Sequence, residues 1–350
     1  MRNLEKKLRA AIVQASPVMF DKKATLQKVA CQIKAAGQQG AQLIVFPESL
    51  VPCYPYGLTF GFTVGSRSEA ERADWKRYYD QSVVVREDLQ DIAAAAQAAG
   101  AFVSLGITER DETTYSLYCS NVIFAPDGTL AAHHRKIKPT GAERYIWADS
   151  HDPSTYFPIV QTPWGPMGSL ICWENYMPLA RTALYQKGVS LYLAPNTNDN
   201  PEWQDTIKHI AIEGRCYVFN VDQYFTKDMY PADLVESEAV SKLNQGTCRG
   251  GSCIIDPCGH YVTEPVWDQE AIIYADLDLD QVVLRHMEFD ATTPGQISWN
   301  SSCMSKGVSH EGFGYRGTGL FYRRNMRYLN LIRFRPVAFQ KLRAIFSEMM

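Results

Sequence analysis

The chain lacks both a long apolar run and a strong charge of either sign. Across 350 residues the formal net charge is −3, so no broad positive field is present to hold nucleic acid. No apolar stretch is long enough to cross a bilayer, and the N-terminal sequence MRNLEKKLRAAIVQ has no signal-peptide pattern. We therefore expect neither a nucleic-acid partner nor a membrane partner.

Paired cysteines are also missing from the sequence. The nine cysteines are an odd number and are scattered singly, which is not a disulfide framework and favours a reducing, cytoplasmic location. Cys248, Cys253, Cys258 and His260 are close in sequence, but their spacings do not form a paired C-x-x-C knuckle. We therefore predict no bound metal.

Strand-like and helix-like segments alternate through most of the chain. The apolar run 41–49 predicts a buried strand, and 88–100 predicts a helix that is closed by a glycine. The predicted strands 101–108 and 120–128 follow each other directly, so the sheet should be mixed rather than purely parallel. Residues 57–85 have the composition of a polar insertion between layers. The pattern predicts one large α/β domain built in layers.

A carboxylate closes one of the predicted strands. Glu48 ends the apolar sequence LIVFPE, and half-burial at a strand end raises a carboxyl pKa toward the range of a general base. Strand ends are often polar and solvent-exposed, so a surface glutamate is the alternative interpretation.

The segment HHRKIKPTGAERYIW, residues 133–147, is rich in basic residues. Lys136 and Lys138 alternate with Ile137, so one lysine can face inward if the segment is extended. A buried lysine beside a carboxylate would stabilise a developing negative charge. A solvated basic loop before Pro139 is the competing interpretation.

Three further residues of this segment are candidates on weaker grounds. Glu143 follows the lysines, and a surface ion pair with Arg144 is its simplest role. His133 and His134 are expected at the surface, because nothing in their spacing indicates metal ligands.

A lone thiol marks the junction in GSLICWENYMPLARTALYQKG, residues 168–188. A cysteine inside a strand is usually a small hydrophobic residue. Cys172, however, stands where a strand is predicted to end and a helix running to Lys187 to begin, and a helix N-terminus favours a thiolate. No histidine is at an obvious partner position, so a papain-type pair is not supported and Glu48 would have to be the base.

Three segments together resemble the signature regions of the nitrilase superfamily of carbon–nitrogen hydrolases: FPESLVPCYPYG, HHRKIKPTGAER and GSLICWENYMPLAR. The resemblance covers nearly all of residues 8–290. It implies an α/β fold, a four-layer α-β-β-α sandwich of two mixed sheets with outer helices. It also implies that Glu48 is the general base, Lys136 the catalytic lysine, Glu143 the group that positions lysine and substrate, and Cys172 the nucleophile.

The sequence Cys172-Trp173-Glu174 resembles true nitrilases within the superfamily, as does APNTNDNPEWQDTIKHIAIEGRCYV. This implies hydrolysis of a small-molecule nitrile to an acid and ammonia through a thioimidate and a thioester, with no cofactor. Candidate substrate contacts are Tyr54, Trp173 and Asn196. The alternatives are a thiol amidase or carbamoylase, a cyanide-hydrolysing relative, and a catalytically silent scaffold.

Residues 301–350 differ in composition from the predicted hydrolase domain, residues 1–300. The tail is rich in arginine and aromatic residues, and Glu311 and Glu348 are its only acidic residues. Such enrichment is typical of protein–protein contacts. Because the resemblance also implies dimers that stack into spirals, we predict that the tail is an oligomerisation element of a homodimer or a larger spiral homo-oligomer.

Overall fold

The computed structural model describes residues 4–292, and the predicted oligomerisation tail lies outside these residues. The strands of the first half of the described chain are β1 Lys7–Gln14, β2 Leu43–Val45, β3 Phe62–Thr63, β4 Ser66–Arg67, β5 Phe102–Arg110, β6 Leu117–Phe124 and β7 Leu130–Arg135. Those of the second half are β8 Ile159–Thr162, β9 Gly165–Ser169, β10 Leu191–Asn196, β11 Tyr217–Asp222, β12 Tyr224–Phe225, β13 Cys248–Ile255, β14 Tyr261–Trp267 and β15 Ala271–Asp278.

Most of these strands form two mixed sheets. The first has the order β15-β1-β2-β5-β6-β7, in which β1, β2 and β5 are parallel and β15, β6 and β7 are antiparallel to their neighbours. The second has the order β12-β13-β11-β10-β9-β8, with β14 paired to β13, and its parallel centre is β9, β10 and β11. The prediction of mixed sheets is confirmed.

Helices cover the outer face of each sheet. The helices are α1 Lys22–Gln38, α2 Arg72–Gln81, α3 Val85–Asp88, α4 Gln90–Ala99, α5 Pro178–Gln186, α6 Pro201–Gly214, α7 Ser237–Ser241 and α8 Asp280–Glu288. Buried side chains of α1 and α4 share a core with the first sheet, and those of α5 and α6 share a core with the second. A third core joins the facing sides of the two sheets. The four-layer α-β-β-α sandwich is therefore confirmed.

Strand β1 shows why the central strands read as continuous apolar runs. Ala10 and Ile12 enter the core between the sheets, whereas Ala11 and Val13 enter the core under α1 and α4. Because successive side chains point to opposite faces, a strand covered on both sides needs apolar residues at every position.

Several predicted boundaries are wrong. The strand expected at 41–49 is limited to β2, because residues 47–49 bulge out beside Gly106 before Val51 pairs with Ile107 of β5. A Cβ at Gly106 would lie 2.2 Å from the carbonyl oxygen of Pro47, so only glycine permits this bulge. Residues 57–85 form the β3–β4 hairpin and α2, and they bury Phe60 and Tyr78 rather than forming a purely polar insertion.

No helix within residues 4–292 is long and apolar enough to cross a membrane.

Candidate active site

Glu48 lies in the bulge that the chain makes beside Gly106 of β5. The residue is 1% exposed, and its carbonyl oxygen accepts a hydrogen bond of 2.6 Å from the Gln223 amide. The close approach of Gly106 lets this bulge lie against β5. The carboxylate is therefore buried in a defined position rather than exposed at a strand end.

Lys136 directly follows β7, and its side chain reaches Glu48. Its backbone N–H donates to the Cys119 carbonyl at 2.7 Å, which extends the ladder with β6. Its buried ammonium donates to Glu48 Oε1 at 2.7 Å and to Glu143 Oε2 at 2.8 Å. Lys138, in contrast, is half exposed and pairs with Asp149. The inward-facing lysine is Lys136.

Glu143 belongs to a short 3-10 helix, Gly141–Tyr145, and is buried. Its Oε2 accepts the Thr140 backbone N–H at 2.6 Å in addition to Lys136, and its Oε1 accepts the Tyr54 hydroxyl at 2.7 Å. A surface ion pair with Arg144 is therefore the wrong interpretation, because both oxygens of Glu143 face inward groups. Tyr54 is thereby held at the edge of the same cluster.

Cys172 does not begin an α-helix as expected. Residues Cys172–Tyr176 form a 3-10 turn, and α5 starts only at Pro178. Cys172 itself has a φ of +49°, a left-handed conformation that costs a non-glycine residue about 1–3 kcal/mol. The side-chain amide of Asn175 holds the turn by donating to the carbonyls of Leu170 and Cys172 at 3.0 and 2.8 Å.

The electrostatics of the cluster favour a protonated thiol at rest. Burial raises the pKa of Cys172 well above its ordinary value, and the Glu48 and Glu143 carboxylates add to the rise. Burial alone would lower the pKa of Lys136, but the same two carboxylates raise it well above its usual range. Two carboxylates against one ammonium leave an excess of negative charge, which opposes a thiolate.

Burial also makes the Glu48 carboxylate more basic, which suits it to act as a general base. Burial raises the pKa of the Glu48 carboxyl, whereas the Lys136 charge opposes the rise and favours the carboxylate form. A buried carboxylate whose basicity is raised, close to a thiol, can accept the thiol proton when an electrophile arrives.

Two contacts to Glu48 were missed by the sequence analysis. The Thr197 hydroxyl donates to Glu48 Oε2 at 3.3 Å, and its backbone also hydrogen-bonds Cys172. The Cys119 thiol donates to Glu48 Oε1 at 3.4 Å. Thr197 follows Asn196 in a segment that carries the family resemblance, so Thr197 could have been named as a candidate from the sequence. Cys119 gives no signal beyond its place on a buried strand.

Asn196 is committed to holding its own loop. Its side-chain amide donates to the carbonyl oxygens of Ala194 and Val221 and to Asn220 Oδ1, and its Oδ1 accepts the Asn198 backbone N–H at 3.0 Å. The side chain is fully buried. Both ends of the amide are used in these contacts, which suits a positioning role, and the contact of Asn196 with substrate stays a prediction.

Trp173 lies at the surface. The residue is 47% exposed, and its ring packs edge-on against Tyr176, which in turn contacts Trp203 of α6. Its contact with substrate stays a prediction.

His134 is buried, so its expected surface position is wrong. It is 1% exposed, and its Nε2 lies 2.8 Å from the Glu174 carboxylate, which the sequence analysis did not assign a role. His133 remains partly exposed and pairs with Glu109 on the opposite face of β7. The sequence could not reveal this because Glu174 is far from His134 along the chain.

The three cysteines and the histidine of the cysteine-rich segment do not come together in one place: Cys248, Cys253, Cys258 and His260. Among residues 4–292, donor atoms of Asp256, Cys258 and His260 lie within 4.8 Å of one another in the β13–β14 turn. The Asp256 carboxylate already accepts the backbone N–H groups of the other two residues. Cys248 and Cys253 are buried in β13 and are not part of this group.

Comparison with known proteins agrees with this geometry. The layered sandwich and its buried carboxylate–lysine–carboxylate cluster beside a thiol define a hydrolase of the nitrilase superfamily. Residues 9–286 match the carbon-nitrogen hydrolase family, and the chain belongs to that family.

Named relatives lie within the same superfamily. The chain is 43% identical over 285 residues to an aliphatic nitrilase of Sinorhizobium fredii, which covers 81% of this chain and 91% of the relative. It is 38% identical over 288 residues to the bifunctional nitrilase/nitrile hydratase NIT4A of Lupinus angustifolius, with 81% of each chain covered. The crystal structure of Saccharomyces cerevisiae Nit3 shares the fold, with a TM-score of 0.65 and 23% identity over 84% of this chain and 98% of Nit3.

Proposed function

We propose that this protein is a nitrilase, which hydrolyses a small-molecule organic nitrile to the carboxylic acid and ammonia. The observation that carries the proposal is the buried Glu48–Lys136–Glu143 cluster beside the Cys172 thiol. The names of the relatives supply the substrate class, because the cluster by itself suits nitriles and amides equally.

The reaction begins with transfer of the Cys172 proton to Glu48. The sulfur adds to the nitrile carbon, the proton passes to the nitrile nitrogen, and a thioimidate forms. A soft nucleophile is required here, because a nitrile carbon is a weak electrophile. No step of this sequence requires a metal or an organic cofactor.

Two waters complete the reaction. Glu48 takes a proton from the first water, which adds to the thioimidate carbon to form a tetrahedral intermediate. Protonation of the nitrogen lets ammonia leave, and a thioester remains. The second water adds to the thioester, the acid departs, and the sulfur recovers its proton. One nitrile and two waters thus give one acid and one ammonia.

Negative charge develops on the substrate nitrogen during the first addition. The Lys136 ammonium is preorganised by two carboxylates and is well placed for this charge. The Trp173 backbone N–H is the second proposed donor, since the first N–H groups of a helical turn have no partner within that turn. Glu143 positions Lys136 and, through Tyr54, one wall of the cluster.

Release of an amide is a second candidate outcome. Several relatives are named bifunctional nitrilase/nitrile hydratase, and a hydratase stops at the amide. The tetrahedral intermediate would then lose the Cys172 sulfur instead of ammonia. Amide hydrolysis is the competing chemistry on this scaffold, and hydrolysis of cyanide itself is another.

Matched nitrile and amide pairs test the proposal. Aliphatic, aromatic, arylacetic and cyano-acid nitriles and the corresponding amides are each incubated with the protein, and ammonia, acid and amide are quantified. We expect acid and ammonia from at least one nitrile and no product with Cys172→Ala. Turnover of amides without nitriles would favour an amidase, and turnover of cyanide alone would favour a cyanide-hydrolysing enzyme.

We further propose that the protein is a homo-oligomer, in which residues 1–300 are the hydrolase domain and residues 301–350 are an assembly element. Large apolar side chains are exposed around the Cys172 turn and on α5 and α6, namely Trp173, Tyr176, Leu179 and Ile212. Exposed apolar patches of this kind are typical of protein contacts. A cytoplasmic location fits the cysteines within residues 4–292, which are all free thiols.

Truncation after Ser309 tests the role of the tail. Light scattering and nitrile turnover are measured on the full and the shortened chain. We expect a smaller assembly from the shortened chain. Unchanged assembly size and activity would remove the tail from the assembly.

A further inference from the structure

A buried carboxylate joins the two catalytic strands behind the reacting groups. Glu174, two residues after Cys172, is fully buried. Its Oε2 accepts the Ile171 backbone N–H at 2.8 Å, and its Oε1 accepts the Ile137 backbone N–H at 2.7 Å. Ile171 directly precedes Cys172, and Ile137 directly follows Lys136. One side chain therefore holds the neighbours of both catalytic residues.

The partner of this carboxylate is His134. The imidazole Nε2 lies 2.8 Å from Glu174 Oε2, and Nδ1 lies 2.9 Å from the Thr155 carbonyl oxygen. A carbonyl oxygen only accepts, so Nδ1 carries a hydrogen, and a carboxylate on the other side requires a hydrogen on Nε2 as well. The geometry thus indicates an imidazolium ion paired with the Glu174 carboxylate.

The directions in which the pKa values of His134 and Glu174 shift agree with a charged pair. Burial by itself would lower the pKa of His134, but the Glu174 carboxylate raises it above the ordinary value. Burial by itself would raise the pKa of Glu174, but the imidazolium and the two backbone donors lower it. Each partner therefore keeps the other ionised within the core, where an unpaired charge would be costly.

The turn at Cys172 needs such an anchor. Its left-handed φ of +49° persists only if the surrounding contacts hold it. Asn175 holds carbonyl groups of the turn, and Glu174 holds the N–H that enters it. Within residues 4–292, the Asn175 side chain bonds groups of its own segment and Tyr192, whereas Glu174 also reaches the segment of Lys136.

We propose that the Glu174–His134 pair is the positioning element that sets the distance between the Cys172 sulfur and the Lys136 ammonium. Neither side chain is proposed to touch the substrate. The inference rests on the proposed nitrile hydrolysis. In that reaction the carbon of the intermediate is bonded to the Cys172 sulfur, and the Lys136 ammonium must reach the nitrogen of the same intermediate. If that nitrogen is protonated, ammonia leaves and acid results; if the lysine is displaced, the sulfur leaves and amide results.

The test compares Glu174→Gln and Glu174→Asp with Glu109→Gln. The glutamine has a single oxygen acceptor for the two backbone N–H groups, and the aspartate keeps the charge but is too short to reach both. Glu109 is the matched control, because it is also buried and pairs with β7. Its partners Arg135 and His133 lie on the face of β7 opposite to His134. The measurements are kcat, KM, the acid-to-amide ratio and the iodoacetamide alkylation rate of Cys172.

For Glu174→Gln we expect kcat to fall about 100-fold with KM nearly unchanged, as for a misplacement of about 1 Å. The amide fraction should rise and the alkylation rate of Cys172 should change. Glu174→Asp should show smaller changes in the same direction, and Glu109→Gln should keep both the product ratio and the alkylation rate.

Three results would overturn the inference. One is a folded Glu174→Gln protein with wild-type kcat and product ratio. Another is an equal shift of the product ratio in Glu109→Gln, which would indicate general loosening of the strand. The third applies if Glu174→Gln does not fold: a Glu174→Asp protein whose kcat and acid-to-amide ratio equal those of the wild type. If the wild-type protein hydrolyses no nitrile, the proposed function fails separately, and the alkylation rates still test whether Glu174 positions Cys172.

Discussion

Replacing Lys136 by methionine removes the ammonium at the centre of the cluster while keeping most of the side-chain volume. The ammonium bonds Glu48 at 2.7 Å and Glu143 at 2.8 Å, and all three groups are buried. Loss of one partner from a buried ion pair costs about 3–5 kcal/mol, because the remaining charge has no compensation. The free energy of unfolding near neutral pH should fall by about this amount.

The loss should depend on pH in a defined direction. Burial already raises the pKa of Glu48 in the folded protein, and removal of the ammonium raises it further. A carboxyl group with a raised folded-state pKa binds more protons when folded than when unfolded. The free energy of unfolding therefore decreases as pH rises from the ordinary carboxyl pKa through the folded value. The deficit of Lys136→Met should be larger at about pH 8 than at about pH 5.

Lys138→Met is the matched control. Lys138 is half exposed and pairs with Asp149, and an exposed pair contributes about 0–1 kcal/mol. Urea unfolding gives the stability difference, and nitrile turnover should fall about 10²–10³-fold for Lys136→Met only. Equal losses in both variants, or a deficit of Lys136→Met that grows toward acidic pH, would refute the reasoning.

Three shorter predictions follow from the same site. Cys172→Ala should abolish hydrolysis with an unchanged circular dichroism spectrum, and measurable turnover by the folded variant would contradict its role as nucleophile. Because burial raises the pKa of Cys172, its iodoacetamide alkylation rate should still rise beyond about pH 9, whereas a plateau near neutral pH would indicate a thiolate. Gly106→Ala places a Cβ 2.2 Å from the Pro47 oxygen and should cost about 1–3 kcal/mol in thermal unfolding. Gly246→Ala, whose nearest contact would be the flexible Arg249 side chain at 3.2 Å, should cost less, and equal losses would contradict the close-approach explanation.

The alternation of strands and helices predicted α/β layers, whereas the four-layer arrangement of two facing sheets came from the family resemblance. Continuous apolar runs indicate strands that are covered on both faces, and periodic segments closed by glycine indicate the outer helices. Glu48 and Cys172 each occur where an apolar run meets a polar segment, which made them candidates. The alternation around Ile137 left Lys136 and Lys138 both open, and the family resemblance selected Lys136.

The details that failed depend on contacts between distant segments. The chain after Cys172 has helix-forming composition, yet bonds from Glu174 and Asn175 hold it in a 3-10 turn, and periodicity does not report such bonds. His134 has the sequence environment of a surface residue, and its burial depends on Glu174, which comes from the distant turn Cys172–Tyr176. Asn196 ends a strand as expected, but its amide is used by the backbone of its own loop and of β11.

The protonated resting state of Cys172 also affects how the protein meets oxidants. Peroxides and disulfides react with a thiolate far faster than with a thiol. Burial and the excess carboxylate charge both raise the pKa of Cys172 and so keep this sulfur in its thiol form, and the residue is only 5% exposed. In the proposed mechanism the thiolate forms only when substrate arrives and the proton passes to Glu48. Between turnovers, the sulfur therefore stays in the form that reacts slowly with oxidants. Peroxide should inactivate this enzyme more slowly than an enzyme whose resting cysteine is a thiolate.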